Sequence, residues 1–224
     1  MVGRSPVKFI RGSDEMSTNN FSADLLEGIE AEFITKLFLE TNLNWVAEQL
    51  QVKECLDIYW TDPETDTGDL HIDQVICEED NVLTSAKCEV KAANKQPYWD
   101  TFYAEFRSLG SNGYSHYLVD QPRHIVYVDL LGKKLYWYDG AEFVDRVKKR
   151  RHSVKTNRFG TAEGLLFGTE DLDYGFRFSA DVKQMFHYVR KNCYEEIKER
   201  CEKVQRQTNK VPVHKKCEGL PDLV

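Results

Sequence analysis

Apolar residues in the segment 22–40 recur at helical spacing. Leu25, Leu26, Ile29, Phe33, Ile34 and Leu37 fall on one stripe when residues are advanced by about 100° each. Ser22 stands where an N-cap belongs, Asp24 follows in the first turn, and Phe21 is placed to staple against Leu26. Beyond residue 52 the period shortens. Lys53–Trp60 reads as a strand leading into an acidic loop at 61–68, and 69–95 reads as a hairpin. In its second strand Ala86, Cys88, Val90 and Ala92 form a small apolar face, which leaves Lys87, Glu89 and Lys91 on the other. Glu78-Glu-Asp-Asn81 has the composition of the turn between the strands. Asp100–Arg107 is predicted as a strand from its Thr, Phe and Tyr content, with Tyr103 and Glu105 sharing a face. After a glycine-bearing loop at 108–116, His124–Asp129 and Lys134–Tyr138 read as a second hairpin, and Ala141–Arg151 begins as a helix. Ser179–Gln207 is predicted as one long last helix. Its stripe of Val182, Met185, Phe186, Val189, Cys193 and Ile197 suits a core or a dimer surface.

Length and composition add an outline. With 224 residues, 41% of them apolar, the chain can bury one moderately large core. Residues 1–20 read as a flexible arm, 21–207 as a single domain, and 208–224, with Pro212, Gly219 and Pro221, as a tail. No stretch of about 18 apolar residues exists to span a membrane, and no apolar leader with basic flanks is evident. The six cysteines lack Cys-x-x-Cys spacing. That is the usage of a reduced, cytoplasmic protein.

Charge is placed unevenly. Residues 1–110 carry 9 Lys and Arg against 21 Asp and Glu, whereas 111–224 carry 21 against 16. Arg146, Lys148, Lys149, Arg150, Arg151, Lys155 and Arg158 form a basic run with no acidic residue inside it. Such a run suits a phosphate backbone, although a solvated helix end or another anionic partner would also explain it.

The chemistry-bearing residues are acidic and early. Glu89 and Lys91 project to one side of their strand, and Asp73 lies in the neighbouring strand, with Asp69 as a fallback nearer the acidic loop. Two carboxylates and a lysine so placed can hold a divalent cation and steer a water molecule, while a solvated surface hairpin would carry the same letters. Glu30 falls inside the apolar stripe of the first helix and Glu32 outside it. An inward carboxylate needs a compensating partner, either a metal-bound water or a cation. Glu105 is a further candidate for this acidic cluster. Ser115, His116 and Asp120 lack the strained turn of a hydrolase nucleophile, and no Walker-type glycine loop is present.

An early helix with an inward glutamate, then Ile72-Asp73, then Glu89-Val90-Lys91 in a hairpin, resembles the PD-(D/E)XK nuclease superfamily. The resemblance covers about residues 22–140, and its specific part is four residues. No proline precedes Asp73, and the gap from Asp73 to Glu89 asks for a long hairpin. The resemblance implies an α/β fold: a central mixed β-sheet flanked by helices, a restriction-endonuclease-like core, here with a long C-terminal helix. It implies that Asp73, Glu89 and the backbone carbonyl of Val90 bind Mg²⁺ or Mn²⁺, that Glu30 holds the ion's outer waters or a second ion, and that Lys91 orients or deprotonates the attacking water. The activity implied is metal-dependent hydrolysis of phosphodiesters, with DNA favoured as substrate and an endonuclease of the phage, restriction or recombination type expected. An RNA endonuclease of the same fold and a non-catalytic nucleic-acid-binding protein are the alternatives. Many members of the superfamily act as homodimers.

Overall fold

The computed structural model describes residues 15–61, 69–76, 82–93, 101–109, 113–156 and 162–208. It is an α/β protein with a mixed central sheet and flanking helices. Helices α1 (Glu15–Thr41) and α2 (Leu43–Leu50) precede strands β1 (Glu54–Trp60), β2 (Leu70–Val75) and β3 (Leu83–Ala93). Strands β4 (Thr101–Ser108) and β5 (Gly113–Tyr114) and the short helix α3 (His116–Asp120) lead to β6 (His124–Asp129), β7 (Lys134–Asp139) and α4 (Gly140–Lys149). The chain continues through β8 (Lys155–Thr156), β9 (Ala162–Gly168), β10 (Phe176–Asp181), α5 (Lys183–Asn192) and α6 (Tyr194–Thr208). The central sheet has the order β1-β2-β3-β6-β7-β10, parallel between β3 and β6 and antiparallel elsewhere. A second, antiparallel sheet has the order β5-β4-β9-β8.

Each face of the central sheet has its own core. On one face Ile58, Ile72, Cys88, Val90, Val126, Val128, Leu135 and Trp137 meet Ile29, Ile34 and Phe38 of α1 and Phe186, Val189 and Ile197 of the C-terminal helices. On the other, Ile125, Tyr127, Tyr136 and Tyr138 pack against Phe102, Ala104, Leu165 and Phe167 of the second sheet and Phe143, Val144 and Val147 of α4. Every residue of β6 is buried, as expected of a strand covered on both faces. Local chemistry fixes the joints. Thr41 and Asn42 side chains donate to the carbonyls of Leu37 and Phe38, both at 2.8 Å, and close α1. Asp139 caps α4 by accepting from Glu142 N–H at 3.0 Å. A Cβ on Gly140 would stand 1.8 Å from the Pro122 carbonyl oxygen, so only glycine fits that joint.

Three expectations are corrected. Helix α1 starts by Glu15, so Ser22 is interior rather than a cap and residues 15–20 are not an unstructured arm. The predicted last helix is a strand followed by two helices. Ser179, Ala180 and Asp181 pair with β7, the Asp181 carboxylate accepts from Lys183 N–H at 2.9 Å where the helix begins, and the backbone leaves helical geometry at Cys193. Its apolar stripe packs into the core, as the spacing allowed: Val182, Phe186, Val189 and Ile197 are buried. The β1, β2–β3, β4 and β6–β7 segments lie where the alternation places them, and the turn at 78–81 is outside the described residues.

His124, at the start of β6, illustrates what full burial does to a titratable group. Trp137 Nε1–H donates to His124 Nδ1 at 3.3 Å. Burial, with Arg123 adding to it, lowers the imidazole pKa to about 3. Below the ordinary value near 6.5 the unfolded chain takes up a proton that the folded chain refuses. Stability therefore falls as pH drops from about 6.5 towards 3, by up to about 1.4 kcal/mol per pH unit. His124→Gln keeps an acceptor for Trp137 and is expected to flatten this fall. Urea midpoints of both proteins at pH 7.5 and 5.5 check it, and parallel losses in the two would refute the assignment.

Candidate active site

Strand β2 begins at Leu70 opposite Cys88. Past Cys88, β3 keeps β6 on one side and, among the described residues, no strand on the other. Into this gap Asp69 turns its carboxylate, accepting from Val90 N–H at 2.6 Å. The N–H and C=O of one strand residue point to the same edge, so the Val90 carbonyl faces the gap as well. Glu89 is buried and ion-paired with Lys91, and the Lys91 ammonium lies 5.9 Å from the Tyr117 ring centre. From α1, Glu32 comes within the electrostatic reach of Asp69, Glu89 and Lys91. It is held at 3.0 Å by Arg200 Nε of α6, whose guanidinium stacks 4.3 Å from the Trp60 ring centre.

The electrostatics of the cluster are unbalanced towards negative charge. Burial, then Glu89 and Glu32, hold the Asp69 carboxyl well above the usual carboxylate range, against the pull of Lys91 and the Val90 N–H. Burial raises Glu32 too, despite Arg200. Burial alone would lower the pKa of Lys91, but Glu89 and Asp69 outweigh it and raise it. Lys91 is therefore a firmly protonated donor here. Hard oxygen donors gathered in this way are the set that Mg²⁺ and Mn²⁺ prefer, and like charges crowded out of water are relieved by a cation. Each carboxylate is at present engaged within the protein: Glu89 by Lys91, Glu32 by Arg200, Asp69 by Val90. Among the described residues, no three His, Cys, Asp or Glu are arranged as a ready metal cage.

Of the four residues expected to carry catalysis, the structure brings together Glu89 and Lys91 and leaves Glu30 and Asp73 elsewhere. Asp73 pairs with Ser85, four residues along β3 from Glu89 and so about 13 Å away at strand spacing. Its carboxylate accepts from the Tyr59 hydroxyl at 3.2 Å. Asp69 occupies the position expected of it. Glu30 is ion-paired with Arg190 of α5, and Glu32 is the α1 carboxylate within electrostatic reach of Asp69 and Glu89. The reason lies in small residues. The buried line of α1 includes Ala31 and Thr35, whose hydroxyl bonds to the Ala31 carbonyl at 2.9 Å. A stripe drawn through large apolar residues alone is rotated from the true one, and Leu26 on it is exposed.

Arg146, Lys148, Lys149, Arg150, Arg151 and Lys155 run from the end of α4 to β8, most of them exposed, and Arg158 lies outside the described residues. Lys149 pairs with Asp145 at 2.6 Å, and Arg150 lies 5.6 Å from the Tyr174 ring centre. The run is tied to the site at one end. The Tyr103 hydroxyl donates to the Lys155 carbonyl at 3.4 Å, the Tyr127 hydroxyl donates to the Tyr103 carbonyl at 3.5 Å, and Tyr127 is the register partner of Lys91. The charge of Glu105 reaches Tyr103, Tyr117 and Tyr127, and no described interaction joins it to Asp69 or Glu89. No helix among the described residues is long and apolar enough to cross a membrane. Compared with protein families, curated proteins and solved structures, the chain finds no match in any of the three.

Proposed function

We propose that this chain is a Mg²⁺- or Mn²⁺-dependent nuclease with a restriction-endonuclease-like core, acting on DNA. The observation that carries the reading is the meeting of Asp69, Glu89, Lys91 and Glu32 where β2 begins beside β3. An antiparallel β1–β2–β3 followed by β6 parallel to β3, with α1 across one face, is a frame in keeping with that core. Asp69, Glu89 and the Val90 carbonyl would hold the ion, with Glu32 on its outer side. When bound, the ion supplies an activated water and offsets charge on the scissile phosphate. Lys91, protonated and partly exposed, acts as a charged donor that orients the water and meets the negative charge of the transition state, rather than as the base. Arg200 positions Glu32, and the basic run of α4 and β8 draws in the phosphate backbone.

The test is cleavage of plasmid DNA, single-stranded DNA and RNA with Mg²⁺ or Mn²⁺, with an EDTA control and Lys91→Ala beside the wild type. Cutting of DNA that needs the ion and vanishes in Lys91→Ala is the expected result. Cutting of RNA alone would move the substrate to the ribonuclease alternative. Tight binding without any cutting would make the chain a non-catalytic nucleic-acid-binding protein.

A further inference from the structure

On the face of the central sheet that carries Glu89 and Lys91, the second sheet covers β6 and β7, and no described element of the second sheet packs on β1 and β2. Cross-strand partners share a face, so Tyr59, His71 and Lys87 form a row across three strands, with Asp73 and Ser85 beside it. Along β3, Ser85, Lys87, Glu89 and Lys91 follow one another at alternate positions on that same face. The Tyr59 and His71 rings are stacked at 4° with centres 5.2 Å apart. Ser85 Oγ bonds both of them, His71 Nδ1 at 2.9 Å and the Tyr59 hydroxyl at 2.8 Å, and Asp73 accepts a second bond from Tyr59. The rings are thus fixed in parallel before any ligand arrives, yet Tyr59 is 38% exposed and stands on β1, the edge strand.

We infer that this stack is a binding platform for an unpaired base of single-stranded DNA, feeding the strand along Lys87 to the Glu89–Lys91 site. The inference rests on the nuclease reading and specifies its substrate. A base laid on the outer face of Tyr59 extends an existing two-ring stack without ordering a side chain, and any base offers the face required. In a duplex that face is taken by the neighbouring pair, so the platform selects unpaired strand. Continuity with the site distinguishes this role from a merely solvated sheet surface. His71 of the platform and Glu89 lie on one face of neighbouring strands, and Lys87, the register partner of His71 two positions before Glu89 on β3, is set for the backbone.

The experiment is fluorescence anisotropy with labelled oligo(dT), and with a hairpin duplex, in EDTA so that nothing is cut. Tyr59→Ala is expected to weaken oligo(dT) binding by about 10-fold or more and to leave duplex binding unchanged. Tyr59→Phe, which keeps the ring, is expected to bind close to wild type. Tyr59→Leu, with its melting temperature recorded, guards against loss by misfolding. Undiminished oligo(dT) binding by Tyr59→Ala and Tyr59→Leu, or an equal loss on duplex, overturns the platform. Binding is read without turnover, so absence of cleavage in the metal assay would refute the nuclease while leaving this measurement decisive. Cleavage with no Tyr59 effect would refute the platform alone.

Discussion

Asp69→Asn is expected to abolish cleavage, by about 10²–10⁴-fold in kcat/KM, while Asp73→Asn stays within a few-fold of wild type. The two aspartates lie in one short segment, but only Asp69 stands in the gap beside Val90 and Glu89. Asp73 faces Tyr59 and Ser85 further along the hairpin. The Asn variant keeps an oxygen that accepts from Val90 N–H, so the local backbone stays satisfied. It also removes a buried carboxyl whose ionised form is disfavoured by burial and by Glu89 and Glu32. Loss of activity should therefore come with an unchanged or higher melting temperature, the signature of a residue retained for chemistry at the expense of stability. Kinetics and thermal melts of the two variants side by side check this. Activity lost in Asp73→Asn and kept in Asp69→Asn would return the metal ligand to Asp73 and dismiss the gap as the site.

The register that separates these aspartates was legible in the chain itself. A hairpin turn centred near residue 79 sets residues equidistant from it opposite each other. That places 69 across from 89 and 73 across from 85, in line with the pairing of Leu70 with Cys88 and Asp73 with Ser85. The apolar neighbours Ile72 and Val75 make Asp73 look the more strand-like of the two, whereas Asp69 borders the acidic loop. Asp69 stands just before β2 begins, where the edge of β3 beyond Cys88 carries no other described strand. Alternation along β3 placed Glu89 and Lys91 correctly because period-two patterns survive any tertiary context. Glu32 was less legible. Its inward direction depends on Ala31 and Thr35 lining the sheet, and on Arg200, 168 residues away in sequence, reaching back to it. No local pattern reports a contact of that separation. The break between α5 and α6 was also hidden, because one apolar stripe continues through both helices into the same core.

Mn²⁺ or Mg²⁺ is expected to raise the melting temperature of this protein, and EDTA to reverse the rise. Three buried or partly buried carboxylates face one another with Lys91 as the cation shared among them, and burial outweighs the partners of both Asp69 and Glu32. An ion that binds the folded chain stabilises it by mass action, about 2.7 kcal/mol when present at a hundred times its dissociation constant. For a chain of this length that corresponds to roughly 5–10 °C. Glu89→Gln should lose most of the shift, since it removes the one ligand common to the ion and to Lys91. Lys91→Ala should keep the shift or enlarge it, because the ammonium that competes for Glu89 is gone, even as turnover disappears. This opposite response of two neighbouring residues is what a metal site predicts and what a purely structural ion pair does not. In a structural pair both substitutions would lower the melting temperature, and the ion would move neither. Melts of the wild type and both variants, with and without the ion, decide between them: equal shifts in wild type and Glu89→Gln would exclude Glu89 as a ligand.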